Sequence, residues 1–170
     1  FRLGKEVMWD PFFWRYMGFW IGDGYSTKLS STGRKSFKNT IVLNAVTEKD
    51  LALEYASKLS ELFGLSSSTP FLKRSIYEVS FNSYQFGVFA HENFGDRFNN
   101  KRLPAFVFSL PYLHKLELIR GYLESDGCCV KVPGNKKKIS FISANRGLLV
   151  DLKTLLLSLG ISSSLGFLRK

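Results

Sequence analysis

Tyr16-Met17-Gly18-Phe19-Trp20-Ile21-Gly22-Asp23-Gly24 and Ile119-Arg120-Gly121-Tyr122-Leu123-Glu124-Ser125-Asp126-Gly127 are two versions of one pattern set 103 residues apart. Each has a glycine five residues ahead of an aspartate and closes on a second glycine directly after it. On a helix, Gly18 and Gly22 share a face, where the missing side chains let another helix approach closely. The repetition predicts two related units rather than one continuous fold.

Outward from the first copy, Asp10 and Pro11 read as a helix cap and first helical position, and the aromatic-rich residues 12–21 as a packed helix ending at 22–24. Two strands follow at 25–29 and 40–46, joined by the polar Ser30, Ser31, Thr32, Gly33, Arg34 and Lys35. Alternation assigns Tyr25, Thr27 and Leu29 to a packed face and Ser26, Lys28 and Ser30 to a wet, mildly basic one. Thr47 and Asp50 open a helix whose stripe of Leu51, Tyr55, Leu59 and Leu62 stops at Gly64. A second hairpin at 71–72 and 76–81 and a helix over 83–94 complete a first unit, residues 1–100.

The second unit, residues 101–170, begins with a helix opened by Ser109 and Pro111. Strands at 130–132 and 139–143 follow, then a helix over 148–159 closed by Gly160, with room for one further strand at 161–168. That room is short of a complete second unit. The class is α+β.

Composition narrows the function. A chain of 170 residues, 45% of them hydrophobic, can build a core without a disulfide or a structural metal. Cys128 and Cys129 are adjacent, which suits neither an ordinary bridge nor metal ligation, and they read as buried or structural thiols. His91 and His114 lack carboxylates at ligand spacing and read as core or surface residues. No apolar run approaches the roughly 20 residues that cross a bilayer, and no basic-then-apolar leader is present. The expectation is a soluble intracellular protein with access to DNA and no membrane partner. Twenty-four basic against fourteen acidic residues leave a net charge of +10, which favours a polyanion without selecting DNA, RNA or lipid. The aromatic side chains could stack unpaired bases, but Phe12, Phe13, Trp14, Tyr16, Phe19 and Trp20 crowd one helix, where a core role accounts for them.

The paired motifs resemble the signature of the LAGLIDADG homing endonucleases, and the Trp20-Ile21-Gly22-Asp23-Gly24 ending is particularly similar to the intein-encoded subgroup. Asn100-Lys101-Arg102-Leu103-Pro104 resembles the Lys-x-x-Pro block that supplies an active-site lysine in that subgroup, at the position of Lys101. Asn99, Asn100, Lys101 and Arg102 also read as a plain exposed connection. The terminal Cys or Ser and closing His-Asn pair of a self-splicing element are not evident, so the resemblance implies an endonuclease domain, part of a longer intein-containing precursor, rather than a whole intein.

That resemblance implies two αββαββα repeats about a pseudo-twofold axis, acting as a monomeric pseudo-dimer. Gly18 and Gly121 lie at the helix interface and two antiparallel sheets cradle duplex DNA. It implies site-specific hydrolysis of both strands, leaving short 3′ overhangs, with Mg²⁺ or Mn²⁺ held by Asp23 and Asp126 together with Gly22 and Ser125. The alternative is a LAGLIDADG module that binds DNA or RNA without cutting, as a maturase does. An aspartate at a helix C-terminus faces the negative end of the dipole, and two together repel, so a divalent cation would turn that cost into a binding site. Lys101 could hydrogen-bond a nucleophilic water or stabilise phosphate charge. Phosphate contacts are expected from Lys28, Arg34, Lys35 and Lys38, from Lys73 and Arg74, and from Lys131, Lys136, Lys137 and Lys138.

Overall fold

A computed structural model of the chain describes residues 4–31, 34–65, 70–134 and 136–166, with only the backbone described for Ser31, Arg34, Val132 and Lys136. A short helix α1 (Lys5–Trp9) leads into α2 (Pro11–Asp23), which Asp10 caps by accepting the Phe12 amide at 2.8 Å. Then come β1 (Gly24–Ser31), β2 (Arg34–Asn44), α3 (Lys49–Phe63), β3 (Phe71–Lys73), β4 (Ile76–Asn82) and α4 (Tyr84–Phe94). A 3-10 turn (Ala105–Ser109) precedes α5 (Tyr112–Asp126), β5 (Gly127–Val132), β6 (Lys136–Phe141) and α6 (Arg146–Ser158).

Several sequence expectations shift. β2 begins six residues earlier than expected, because Lys35 to Thr40 pair continuously with β1, and Thr32 and Gly33 lie outside the described residues. Thr47 does not cap α3; Glu48 holds that position and instead accepts the Asn44 amide. Ser109 closes the 3-10 turn and Pro111, without a side-chain bond, precedes α5. Residues 161–166 form no strand, and Phe167 and Leu168 lie outside the described residues.

The first sheet has the order β1-β2-β4-β3, all antiparallel, and β5 and β6 form a two-stranded sheet. One apolar core runs through the molecule, with α2 at its centre: every residue from Phe13 to Ile21 is buried. A helix apolar all round has to be enclosed on all sides. Here α3, α4 and the first sheet cover one side of α2 and α5 covers the other.

Gly18 and Gly121 permit the α2–α5 contact. A Cβ on Gly18 would lie 2.0 Å from the Leu118 carbonyl oxygen, and one on Gly121 would lie 1.8 Å from the Arg15 carbonyl oxygen. Leu118 and Arg15 are themselves 103 residues apart, so the two contacts are related by the same pseudo-twofold that relates the motifs. The helices cross backbone to backbone, which no residue with a side chain would allow. Beside this crossing the buried Arg15 guanidinium donates to Glu124 twice at 2.8 Å and also pairs with Glu54, tying α2 to α5 and α3. Nothing in an aromatic run marks such an arginine beforehand.

Candidate active site and nucleic-acid face

Asp23 and Asp126 are the last residues of α2 and α5, and each helix passes directly into a strand at the next glycine. Gly24 and Gly127 have ordinary negative φ, so their requirement is steric: a Cβ would strike Trp20 Cα at 2.5 Å and the Leu123 carbonyl at 2.3 Å. The equivalent glycines thus let the chain turn tightly from helix to strand in both places, leaving the two aspartates at the same end of the helix pair. The helices remain in contact to that end, since a Cβ on Gly22 would sit 2.1 Å from Ser125 Oγ and 3.3 Å from Asp126 Oδ2. Ser125 Oγ donates to the Tyr122 carbonyl at 3.0 Å.

Burial from water raises the Asp23 carboxyl above its usual value, reinforced by Asp126 and Glu48 and offset by Lys101. Burial raises Asp126 too, while the Tyr122 hydroxyl, 3.3 Å from its Oδ2, and Lys101 favour its charged form. The two carboxylates titrate as a coupled pair, in which a charge on Asp126 opposes ionisation of Asp23.

Lys101 is not part of an exposed connection; it is 4% exposed, deep under the end of α2. Its Nζ donates to the carbonyls of Trp20 (2.8 Å), Ile21 (3.0 Å) and Gly24 (2.8 Å), and lies 4.5 Å from the Trp20 ring centroid. The ammonium adds a charged donor to the carbonyls at the end of α2, where the Trp20 carbonyl also accepts the Gly24 amide, and neutralises the negative end of the dipole. Burial lowers its pKa to about 8, against the opposing pull of Asp126 and Asp23.

Among the described residues no group of three or more His, Cys, Asp and Glu side chains could hold a metal. The local donor set is two carboxylates beside the bare backbone of Gly22, which leaves the Asp126 carboxylate room against the end of α2. Such a set suits a hard cation that takes one or two carboxylates and completes its shell with water and substrate phosphate.

The sheet register decides which lysines face the same way. Opposed residues of an antiparallel pair share a face, and Gly24↔Ile41, with Ile41 wholly buried, marks the face of β1 and β2 covered by the core. Lys28↔Phe37 and Ser30↔Lys35 share that face near its rim, whereas Thr27↔Lys38 and Tyr25↔Thr40 lie on the opposite one, which is open at Thr27 and Tyr25 and closed over at the buried Thr40. The expected facing of β1 is therefore reversed: Tyr25 and Leu29 are the exposed pair, at 39% and 38%. Ser26 is held inward by its hydroxyl on buried Asn39 Oδ1 at 2.8 Å. Lys38 and Lys73 each pair with Glu78 at 3.4 Å, a buried carboxylate whose pKa they lower against the effect of its burial. Arg74 sits in the β3–β4 turn with φ +57°.

In the second sheet Gly127↔Phe141 marks the inner face, where the Phe141 ring meets Tyr122 at 5.4 Å. Cys129↔Ile139 and Lys131↔Lys137 share it; Cys128↔Ser140 and Val130↔Lys138 occupy the other. Lys138 on the second sheet thus corresponds to Lys38 on the first. Cys128 and Cys129 are exposed free thiols, not buried ones, because both faces of this strand pair are open to solvent there. His114 is buried, with Nε2 2.9 Å from the Trp9 carbonyl.

Two helices crossing at glycines, each ending on an aspartate and feeding an antiparallel sheet, define a class: the fold is that of a LAGLIDADG-type homing endonuclease domain. The family model described as a LAGLIDADG-like domain matches residues 114–166. Solved structures of I-DmoI share the fold. In complex with DNA and Ca, that protein gives a TM-score of 0.63 at 17% identity, covering 89% of this chain and 73% of the other. A substituted form of it, in complex with its target DNA in the presence of Mg, gives 0.66 at 15%, covering 95% and 83%. Among curated proteins the chain is 29% identical over 165 residues to DNA polymerase II large subunit of Thermococcus kodakarensis, covering 92% of this chain and 8% of that protein. It is also 29% identical over 146 residues to an iron-sulfur cluster assembly SufBD family protein of Mycobacterium leprae, covering 85% and 15%. The chain thus spans a small fraction of the curated relatives it matches. Among the described residues no helix is long and apolar enough to cross a membrane.

Proposed function

We propose that this domain is a metal-dependent endonuclease that hydrolyses both strands of duplex DNA at a specific site, leaving short 3′ overhangs. The observation that carries the reading is the meeting of Asp23 and Asp126 at one end of the helix pair with buried Lys101 beside them. In this reading Asp23 and Asp126 hold Mg²⁺ or Mn²⁺, with Gly22 and Ser125 flanking. The cation when bound polarises the scissile phosphate and lowers the pKa of a coordinated water. Lys101 keeps a positive charge under the end of α2, which steadies the two carboxylates and the negative charge that develops on phosphate. Residues 1–100 and 101–170 form the two subdomains, acting together as a monomeric pseudo-dimer.

The relatives support a further reading of context. The matching segment is a small part of proteins as different as a DNA polymerase subunit and an iron-sulfur assembly protein. This is the pattern of an inserted element, as in an intein-carried endonuclease. The test of function is incubation of the domain with a duplex DNA library and Mg²⁺ or Mn²⁺, followed by sequencing of the ends. Recurrent paired ends at one sequence support cleavage, and stable binding without cuts identifies a binding module instead.

The facing of the lysines yields a sharper expectation than charge alone. Lys38 and Lys138 share the open faces of the two sheets, so Lys38→Ala with Lys138→Ala should reduce the slope of log affinity against log salt by roughly 2. Lys28→Ala with Lys35→Ala, on the opposite face, should leave that slope within error. Equal loss from both pairs in a salt titration would refute the assignment of faces.

Lys101 also makes stability depend on pH. Its pKa is about 8 in the fold and that of an ordinary lysine when unfolded. Between those values the unfolded chain binds more protons, so stability rises with pH across roughly 8 to 10.5. Denaturant titrations of Lys101→Met should lose that rise, and a variant with the same alkaline slope as the parent would count against the shift.

A further inference from the structure

We propose that helix α6 positions the lysine lodged beneath the end of α2, with Asn145 and Asp151 clamping residues 98–103 and so setting where the Lys101 ammonium sits. This rests on the reading of Lys101 as part of the cleavage centre.

Asn145, 7% exposed, is the N-cap of α6 and uses its whole carboxamide. Oδ1 accepts the Leu148 amide at 3.1 Å, and Nδ2 donates to the Lys101 carbonyl at 2.7 Å and the Phe98 carbonyl at 3.1 Å. Asp151, almost two turns further along α6 and 8% exposed, accepts Arg102 Nε at 2.6 Å and Nη2 at 2.9 Å, and the Leu103 amide at 3.0 Å. The main chain on both sides of the Lys101 side chain is thus fixed to one rigid helix. Gly147 leaves space for the arrangement, since a Cβ there would crowd Arg102 Cδ at 3.1 Å.

From this anchored backbone the side chain runs the other way, into the three carbonyls at the end of α2. The end of α2, in residues 1–100, is therefore tied through Lys101 to α6, in residues 101–170. The Arg102 side chain is 57% exposed, where an ion pair adds little stability. What the pair does supply is geometry, through a bidentate contact of fixed orientation. A displacement of about 1 Å at such a residue is costly to a reaction.

Two substitutions in the intact domain isolate the clamp. Asn145→Asp keeps an oxygen to cap α6 but replaces the two donors with an acceptor facing two carbonyls. Arg102→Gln removes the ion pair while leaving the Leu103 amide on Asp151. Reductive methylation read by mass spectrometry reports access to the Lys101 amine, independently of catalysis. Filter binding gives DNA affinity, and single-turnover assays give the cleavage rate.

We expect Lys101 labelling to rise at least about tenfold and the cleavage rate to fall about 10- to 100-fold in both variants, with the Kd for DNA within about twofold of the parent. Unchanged labelling and parental cleavage in folded variants would overturn the proposal. So would rate and affinity falling together, which would mark α6 as a general support. Should Asn145→Asp not fold, Arg102→Gln decides, because its altered side chain is exposed. Should the parent cut no DNA, increased labelling still upholds the clamp while the cleavage reading falls, and unchanged labelling overturns the clamp as well.

Discussion

Asp23→Asn or Asp126→Asn is expected to lower double-strand cleavage by about 10²- to 10⁴-fold, the equivalent of several kcal/mol of lost metal-centred stabilisation, while duplex binding stays near that of the parent. The same substitutions should stabilise the metal-free fold. Burial and mutual repulsion raise the carboxyl pKa of Asp23, and burial that of Asp126. A raised folded pKa gives stability that is present below the unfolded value and lost as pH rises through the folded one. Both charges consequently oppose folding at neutral pH, and a neutral amide removes that opposition. Asp23 is exposed and water screens much of its repulsion, so calorimetry without metal should show only a small rise in Tm at pH 7, larger for the half-buried Asp126, with the gain shrinking toward pH 4. Loss of function with gain of stability is what a site built at the expense of the fold predicts. Undiminished cleavage by both variants would remove these residues from the chemistry.

The second large effect belongs to the helix crossing. Gly18→Ala and Gly121→Ala each place a methyl group within 2.0 Å of a carbonyl oxygen of the facing helix, where the obstacle is backbone and cannot rotate away. Alanine's better helix propensity, about 1 kcal/mol, works in the opposite direction. Overpacking ordinarily costs about 1–3 kcal/mol, and separation of two main chains lies at or beyond the top of that range. A net loss of about 3 kcal/mol should lower Tm by roughly 6–12 °C. Gly4→Ala, where an added Cβ meets nothing within 4 Å, serves as the control and should leave Tm almost unchanged. Parental stability in both crossing variants would mean that the helices do not meet at these glycines. The same variants should impair cleavage beyond their effect on stability, because the crossing also sets how closely Asp23 and Asp126 approach.

Much of this architecture was legible from local pattern. A run such as Phe13 to Ile21 has no polar face, so it had to be an enclosed helix, and Gly95 and Gly160, both at positive φ, stop α4 and α6 near where expected. The strands of the second hairpin were placed to within a residue. Less legible were the elements whose signal is weak or shared. The 3-10 turn at Ala105–Ser109 has no capping side chain, and the early start of β2 is polar because its neighbour strand, not its own composition, holds it extended.

The amino-acid order by itself determined the two helices, their glycines, the aspartates that end them and the hairpins that follow, because each depends on spacing within one element. Only the tertiary structure decided which of the lysines share a face, since alternation defines two faces but not which one the core will cover. It alone buried Lys101 and paired Lys38 with Glu78, because that burial and that ion pair depend on segments tens of residues away. It alone joined Asn145 and Asp151 to the loop of Lys101, a contact across more than 40 residues that no local period encodes.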